Sequence, residues 1–181
     1  MLFRSRPADA NETSEAWKVA IKHRTGPTAL VLTRQKLPLI DRTKSGAANG
    51  VARGAYTVID SASGPPRAVI MASGSEVDIA LKARDLLAAD RVGVRVVSMP
   101  CHELFAQQTA EYRDSVLPKN VRRVAIEAAH PMSWYRWVGT DGVVIGLDHF
   151  GASAPYQKLY EEFGLTAARL AESVRTLIAR E

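Results

Sequence analysis

A chain of 181 residues with 46% hydrophobic and 24% charged side chains can bury a core and is too apolar to stay disordered. Its formal charge of +5 is scattered. The densest basic groups, Arg4 with Arg6, Lys22-His23-Arg24 and Arg122-Arg123, form no long run and do not interleave with aromatics, so small anions are favoured over nucleic acid. Cys101 stands alone, which excludes an intramolecular disulfide and a cysteine-rich metal site. With no signal-peptide core and no apolar run of about 18 residues, a cytoplasmic chain without a membrane span is expected.

The opening "MLFRS" carries no signal for an element. "DANETSEAWKVAIKH" then starts with a capping-box-like Asp9-x-x-Glu12 and places Ala16, Val19 and Ala20 on one helical face. "GPTALVLTRQKLP" follows: an apolar, β-branched run predicts a buried strand over Thr28–Thr33, which ends abruptly at Arg34. The stretch from Gln35 to Arg53 is polar, holds Gly46, Asn49 and Gly50, shows no sustained period, and is long for a loop within a domain. It is expected to be a linker, which leaves the helix and strand before it as the tail of a preceding domain.

Strands are predicted at Gly54–Ile59, Ala68–Ala72, Val94–Met99, Arg123–Ala128 and Val143–Leu147. The turn-rich "SASGPPR" predicts an antiparallel hairpin between the first two. "SGSEVDIALKARDLLAAD" opens on a second capping box, Ser73-x-x-Glu76, with Val77, Ala80 and Leu81 toward the core. "TAARLAESVRTLIARE" puts Ala167, Leu170, Ala171, Val174, Leu177 and Ile178 on one stripe. Strands alternating with helices predict an α/β fold with a mostly parallel sheet.

Few residues suggest chemistry. An arginine beyond a strand end offers a planar fork of donors for phosphate or carboxylate, so Arg34 is either an anion ligand or a solvated strand terminus. "MASGSEV" is a strand–glycine–helix junction where an anion could sit, but it lacks the glycine spacing of a phosphate loop and reads as a satisfied N-cap. Glu127-x-x-His130 has acid–base or metal-ligand chemistry but no third partner, and reads as loop polarity. His102 and His149 follow strands, where a cleft-lining role is open. Trp134, Tyr135 and Trp137 beside Met132 suit a core or a subunit interface. Cys101 has no paired base and reads as a buried structural thiol. No complete catalytic constellation is visible.

Taken in order, "RPADANETSEAWKVAI", "GPTALVLTRQKLP", "GVARGAYTV", "MASGSEVDIALKA", "VRVVSMPCHELFAQQ", "YRDSVLP", "RVAIEAAHPMSWYRWVG" and "GLDHFGASAPYQKLYEEFGLT" resemble the transketolase family from Arg6 nearly to the end. The resemblance implies that residues 1–38 are the carboxy-terminal remnant of a pyrimidine-binding domain, 39–53 a linker, and 54–181 the transketolase C-terminal domain. The implied fold is a three-layer α/β sandwich whose mostly parallel sheet carries an antiparallel edge strand.

The same resemblance implies that the parent enzyme transfers a two-carbon ketol unit between sugar phosphates in the pentose phosphate pathway and Calvin cycle. It would act as a homodimer, with thiamine diphosphate and Mg²⁺ (or Ca²⁺). Arg34 matches the family's arginine in the "TRQ" or "SRQ" motif and is the one implied substrate-binding residue, a ligand for the sugar's phosphate. No catalytic, cofactor-binding or metal-binding residue is expected in this chain, so the fragment alone should bind no cofactor and be inactive. Neither nucleic acid nor membrane is an expected partner. A 1-deoxyxylulose-5-phosphate synthase-like enzyme and a stand-alone anion- or partner-binding module are the alternatives; "RPADANE" and "FGASAP" favour transketolase.

Overall fold

A computed structural model of the chain describes residues 2–62 and 64–180. In chain order come β1 (Phe3–Ser5), α1 (Ala10–Lys22), β2 (Thr28–Leu30), a 3₁₀ turn (Ala48–Arg53), β3 (Tyr56–Ile59) and β4 (Ala68–Ala72). Then follow α2 (Glu76–Ala89), β5 (Val94–Ser98), α3 (His102–Ala106), α4 (Ala110–Val116), β6 (Arg122–Ile126) and a 3₁₀ turn (Pro131–Trp134). The chain closes with α5 (Tyr135–Val138), β7 (Val143–Ile145), α6 (Tyr156–Glu162) and α7 (Ala167–Ile178).

Five strands form one sheet in the order β3-β5-β4-β6-β7. The four strands β5, β4, β6 and β7 run parallel, and β3 lies antiparallel on the edge. The predicted hairpin is therefore corrected: Tyr56 faces Ser98 of β5, and β3 does not pair with β4. The reason lies in β4 itself. Its run Ala-Val-Ile-Met-Ala is buried at every position and takes the sheet centre, flanked by two parallel partners, so the edge falls to the half-buried β3.

Side chains alternate between two cores. Ile70, Ala72, Val96, Val124 and Ile126 face α2 and α7, and Val69, Met71, Val97 and Ala125 face Phe105, Val116, Trp134 and Trp137 on the other side. That makes the three layers. The stripe predicted on α7 is the one buried, with Leu170, Ala171, Val174 and Leu177 sealed against the sheet. Each such leucine contributes about 1.5–3 kcal/mol of apolar burial.

The segment before β3 is docked onto this sandwich. "MLFRS" does form an element: β1 pairs in parallel with β2, in register Phe3↔Thr28, Arg4↔Ala29 and Ser5↔Leu30. The last rung is the Val31 N–H donating to Ser5 O at 2.8 Å. Without a further neighbour the strand then stops short of its predicted end, leaving Val31 and Leu32 50% and 52% exposed. Asp9 caps α1 as expected, accepting from the Glu12 N–H at 2.8 Å, and Glu12 reaches back to the Ala8 N–H, also at 2.8 Å. Between β2 and β3 the chain is held too. Arg42 pairs with buried Asp9 at 3.1 Å, and the Gly46 N–H donates to Val58 O at 2.7 Å, beside β3.

Candidate functional site

The connections around β4 create a crevice at the carboxyl edge of the sheet. The chain leaves β4 for α2 on one face and leaves β6 for α5 on the other, so the ends of these adjacent strands lie at a topological switch point, where open α/β sheets place their ligands. Ser73 follows β4 and Glu127 follows β6; the Ser73 hydroxyl donates to Glu127 Oε2 at 3.1 Å. The second predicted capping box is thus not made. Ser73 spends its hydroxyl on Glu127, and only its backbone carbonyl accepts from the Glu76 N–H, at 3.3 Å.

Arg6 enters this crevice directly after β1. Its guanidinium donates to Glu76 Oε2 at 3.1 Å and to Ser73 Oγ at 3.3 Å, and pairs with Glu127. Both carboxylates are buried, and the Trp134 indole N–H donates to Glu127 Oε2 at 2.8 Å. A buried carboxylate pair around one guanidinium is tolerable because each oxygen finds donors; removing the arginine would strand both charges. Backbone bonds reinforce the plug: the Arg6 N–H donates to Pro100 O at 2.9 Å, and the Gly74 N–H donates to Arg6 O at 2.8 Å.

Outside the plug remains a cleft of about 250 Å³, walled by Arg4, His102, Glu103, Met99 and Val31. Arg4 is held by Glu103 at 2.9 Å. His102 accepts from the Trp137 indole N–H at 3.3 Å and meets the Trp134 ring edge-on. Burial pushes the His102 imidazole down to about 4, with Glu103 opposing and Arg4 and Arg6 adding to the depression. At neutral pH it is an uncharged wall of the cleft.

The remaining sequence candidates separate. His130 accepts from the Met132 N–H at 3.2 Å, and Glu127 is consumed by Ser73, Trp134 and Arg6, so the two form no metal or acid–base pair. His149 bonds Phe150 O at 2.8 Å and packs its edge on Phe163. Cys101 is buried, and burial raises its thiol to about 11, which suits a structural role. Trp134 and Trp137 fill the core as expected, while Met132 and Tyr135 lie on the surface.

Arg34 stands apart. It is exposed, just past the end of β2, and among the described residues it has no hydrogen-bond or ion-pair partner. Its donor fork is therefore open to an anion. The next residue, Gln35, turns inward and with Lys36, Leu37 and Pro38 forms one wall of a second cleft of about 380 Å³. The opposite wall is the start of α2 at Ser75 and the α6 residues Tyr156 and Tyr160. The Tyr160 hydroxyl donates to Glu76 Oε1 at 2.7 Å, and the Gln35 side chain approaches that hydroxyl.

The residues present do not fit a metal-bound diphosphate. Among the described residues no three of His, Cys, Asp and Glu gather as a metal site. The glycine turn before α2 is filled: a Cβ on Gly74 would meet the Arg6 guanidinium at 3.4 Å, and the Gly74 N–H is already given to Arg6 O. Arg6, Glu76 and Tyr160 were not visible as site residues in the sequence, since Arg6 and Glu76 lie 70 positions apart. The one available signal is a glutamate directly ahead of a buried helical face, where a cap alone does not require a fully buried carboxylate.

The Transketolase-like TK C-terminal domain family model matches residues 54–166. A curated transketolase from Rhodobacter capsulatus is 50% identical over 179 residues, covering 96% of this chain and 26% of the relative. Among solved structures, the transketolase from Leishmania mexicana superposes with a TM-score of 0.89 at 40% identity, over 99% of this chain and 25% of that one. A Pichia stipitis transketolase, described as a complex with sedoheptulose-7-phosphate, gives 0.90 at 32% identity, with the same coverage. The chain spans about a quarter of the length of the curated relatives it matches. All these relatives are transketolases, which favours that reading over a deoxyxylulose-phosphate synthase or a stand-alone module.

Proposed function

The chain belongs to the transketolase family, and we propose that it serves as the carboxy-terminal part of a transketolase, moving a two-carbon ketol unit from a ketose phosphate to an aldose phosphate. The observation that carries this is the reach of the likeness. The family model begins at residue 54, yet relatives match over 96% and 99% of the chain, so the segment that holds Arg34 shares the relationship.

In this reading residues 1–38 end a pyrimidine-binding domain, 39–53 link, and 54–181 are the C-terminal domain. Thiamine diphosphate and its Mg²⁺ or Ca²⁺ are held by protein outside this chain, in a homodimer working in the cytoplasm on the sugar phosphates of pentose interconversion. Arg34 is the chain's own contribution to the substrate site: its free fork takes the distal phosphate, and that remote binding energy positions the reacting end.

The test is made on the full-length gene product. Arg34→Ala should lower kcat/KM for sedoheptulose-7-phosphate about ten- to hundredfold, since a hydrogen bond to a charged group is worth about 1.5–3 kcal/mol. Hydroxypyruvate, a donor without phosphate, should be affected far less. Equal falls for the two donors would remove Arg34 from the substrate site. Absence of ketol transfer by the wild-type protein would end the transketolase reading.

A further inference from the structure

Arg34 lies between two segments that pack toward the same side chain. Upstream, the chain that reaches Arg34 past Val31–Thr33 comes from β2, whose register is set by β1; β1 runs straight into Arg6, and Arg6 Nη2 is held by Glu76 Oε2 at 3.1 Å. Downstream, Gln35 faces the Tyr160 hydroxyl, which donates to Glu76 Oε1 at 2.7 Å. Glu76 is fully buried at the start of α2; its Oε2 holds Arg6 and its Oε1 holds Tyr160, beside which Gln35 lines the cleft. Ser75 donates to Oε1 as well, at 2.7 Å, so the carboxylate cannot turn without losing several bonds at once. An exposed, unpartnered arginine on a strand end would otherwise sample many positions, each ordered rotamer carrying an entropy cost.

We propose that Glu76 is a positioning residue for Arg34: it clamps the chain on both sides of the arginine, so that the sheet domain behind it fixes where the phosphate-binding fork points. The proposal rests on the assignment of Arg34 above and gives the C-terminal domain a part in substrate binding. A carboxylate is required because two cationic or hydroxylic donors converge on it from different directions. An amide offers one acceptor oxygen and would release one of these donors.

The experiment combines kinetics and exchange in the full-length protein. Glu76→Gln and Tyr160→Phe should each raise KM for sedoheptulose-7-phosphate by roughly three- to tenfold, a modest share of what misplacing a binding group can cost. Their kcat should stay close to wild type, and kcat/KM for hydroxypyruvate should change less than twofold. In an Arg34→Ala background the same substitutions should have no further effect on phosphate preference, because the group they position is gone. Tyr160→Phe removes one hydroxyl and keeps the ring, so it reports on the clamp even if Glu76→Gln does not fold.

Equal losses for both donors, or additive effects with Arg34→Ala, would overturn the proposal. Amide exchange separates this outcome from failure of the Arg34 assignment. If the clamp exists, Glu76→Gln accelerates exchange at Val31–Gln35 in the protein whether or not Arg34 binds phosphate. If Arg34→Ala leaves donor preference unchanged while that acceleration is seen, the assignment of Arg34 is wrong and the clamp stands. Unchanged exchange at Val31–Gln35 would refute the clamp itself.

Discussion

The phenol of Tyr56 donates to Glu12 Oε1 at 2.7 Å, and Nη1 of Arg42 donates to that phenol, also at 2.7 Å. Tyr56 opens the sheet domain, Glu12 lies on the first helix, and Arg42 belongs to the stretch between them. Glu12 is fully buried, so it depends on this phenol and on the Ala8 N–H. Tyr56→Phe leaves its carboxylate short of one donor and Arg42 short of one acceptor, and should destabilise the protein by about 1–3 kcal/mol. For a chain of this length that is a drop of roughly 2–4 °C in Tm per kcal/mol. Tyr112→Phe is the comparison: its half-buried hydroxyl donates to a backbone carbonyl, Ala55 O at 2.9 Å, with no buried carboxylate depending on it, and its loss should be smaller. Urea denaturation of both variants checks the order; an equal or reversed order would show that the seam carries no special stability.

The pH dependence follows from two buried groups with opposite signs. The folded state holds His102 neutral, with burial pushing its imidazole down from 6.5 to about 4. Its contribution is present above 6.5 and is lost as the pH falls toward 4, because the unfolded chain takes up the proton first. At most this amounts to about 3 kcal/mol. Glu12 runs the other way. Burial raises its carboxyl above 4.5, so its contribution is full below that value and declines as the pH rises through its folded value. His102→Gln should flatten the fall in stability between pH 6.5 and 4. A slope unchanged by that substitution would show that another group titrates there.

Much of the sandwich was legible because its information is local. The stripe Leu170, Ala171, Val174 and Leu177 and the apolar run Ala68–Ala72 each announce their element and their buried face. What was not legible depends on partners far along the chain. Phe3–Ser5 is a strand only because Thr28–Leu30 lies beside it, and Tyr56–Ile59 chooses β5 over its neighbour in sequence because β4 is committed on both sides. The site divides in the same way. Arg34 stands out as a charge ending an apolar run, whereas Arg6 is one arginine among many until Glu76 and Glu127 are brought around it. Glu127 stands out in the sequence for its spacing to His130, but its partners are Arg6, Ser73 and Trp134.

Two glycines with similar positive φ should differ sharply in their tolerance of a methyl group. Gly54 has φ +84°, and a Cβ there would lie 2.3 Å from the Phe105 nitrogen and 2.4 Å from Cys101 O. Gly64 has φ +76° with nothing within 4 Å. Both pay the left-handed penalty of about 1–2 kcal/mol on substitution by alanine. Only Gly54 adds a clash with backbone that cannot swing aside, and its carbonyl also accepts from the Cys101 N–H at 3.0 Å. Gly54→Ala should therefore lower stability by several kcal/mol or prevent folding, while Gly64→Ala yields a folded protein. Comparable melting temperatures for the two variants would mean that the approach of the chain to Cys101–Phe105 is not tight.

The last prediction asks what Arg34 contributes beyond its charge. An exposed cation attracts a phosphate whatever its shape, but across water and salt that attraction is weak and screened over about 8 Å at physiological ionic strength. A guanidinium adds two parallel donors in a rigid plane, matched to two phosphate oxygens; an ammonium on a flexible stem keeps the charge without the fork. Among the described residues no side chain shares the work at Arg34, so the substitution is not compensated locally. Arg34→Lys in the full-length protein should thus fall between wild type and Arg34→Ala in its preference for sedoheptulose-7-phosphate over hydroxypyruvate. Raising the ionic strength should erode the lysine variant's preference more than the wild type's, because a point charge relies on the screened part of the interaction. If lysine equals arginine at all salt concentrations, the fork is irrelevant and only net charge steers the substrate. If lysine equals alanine, charge contributes nothing without the planar geometry, and the intermediate rank argued here is wrong.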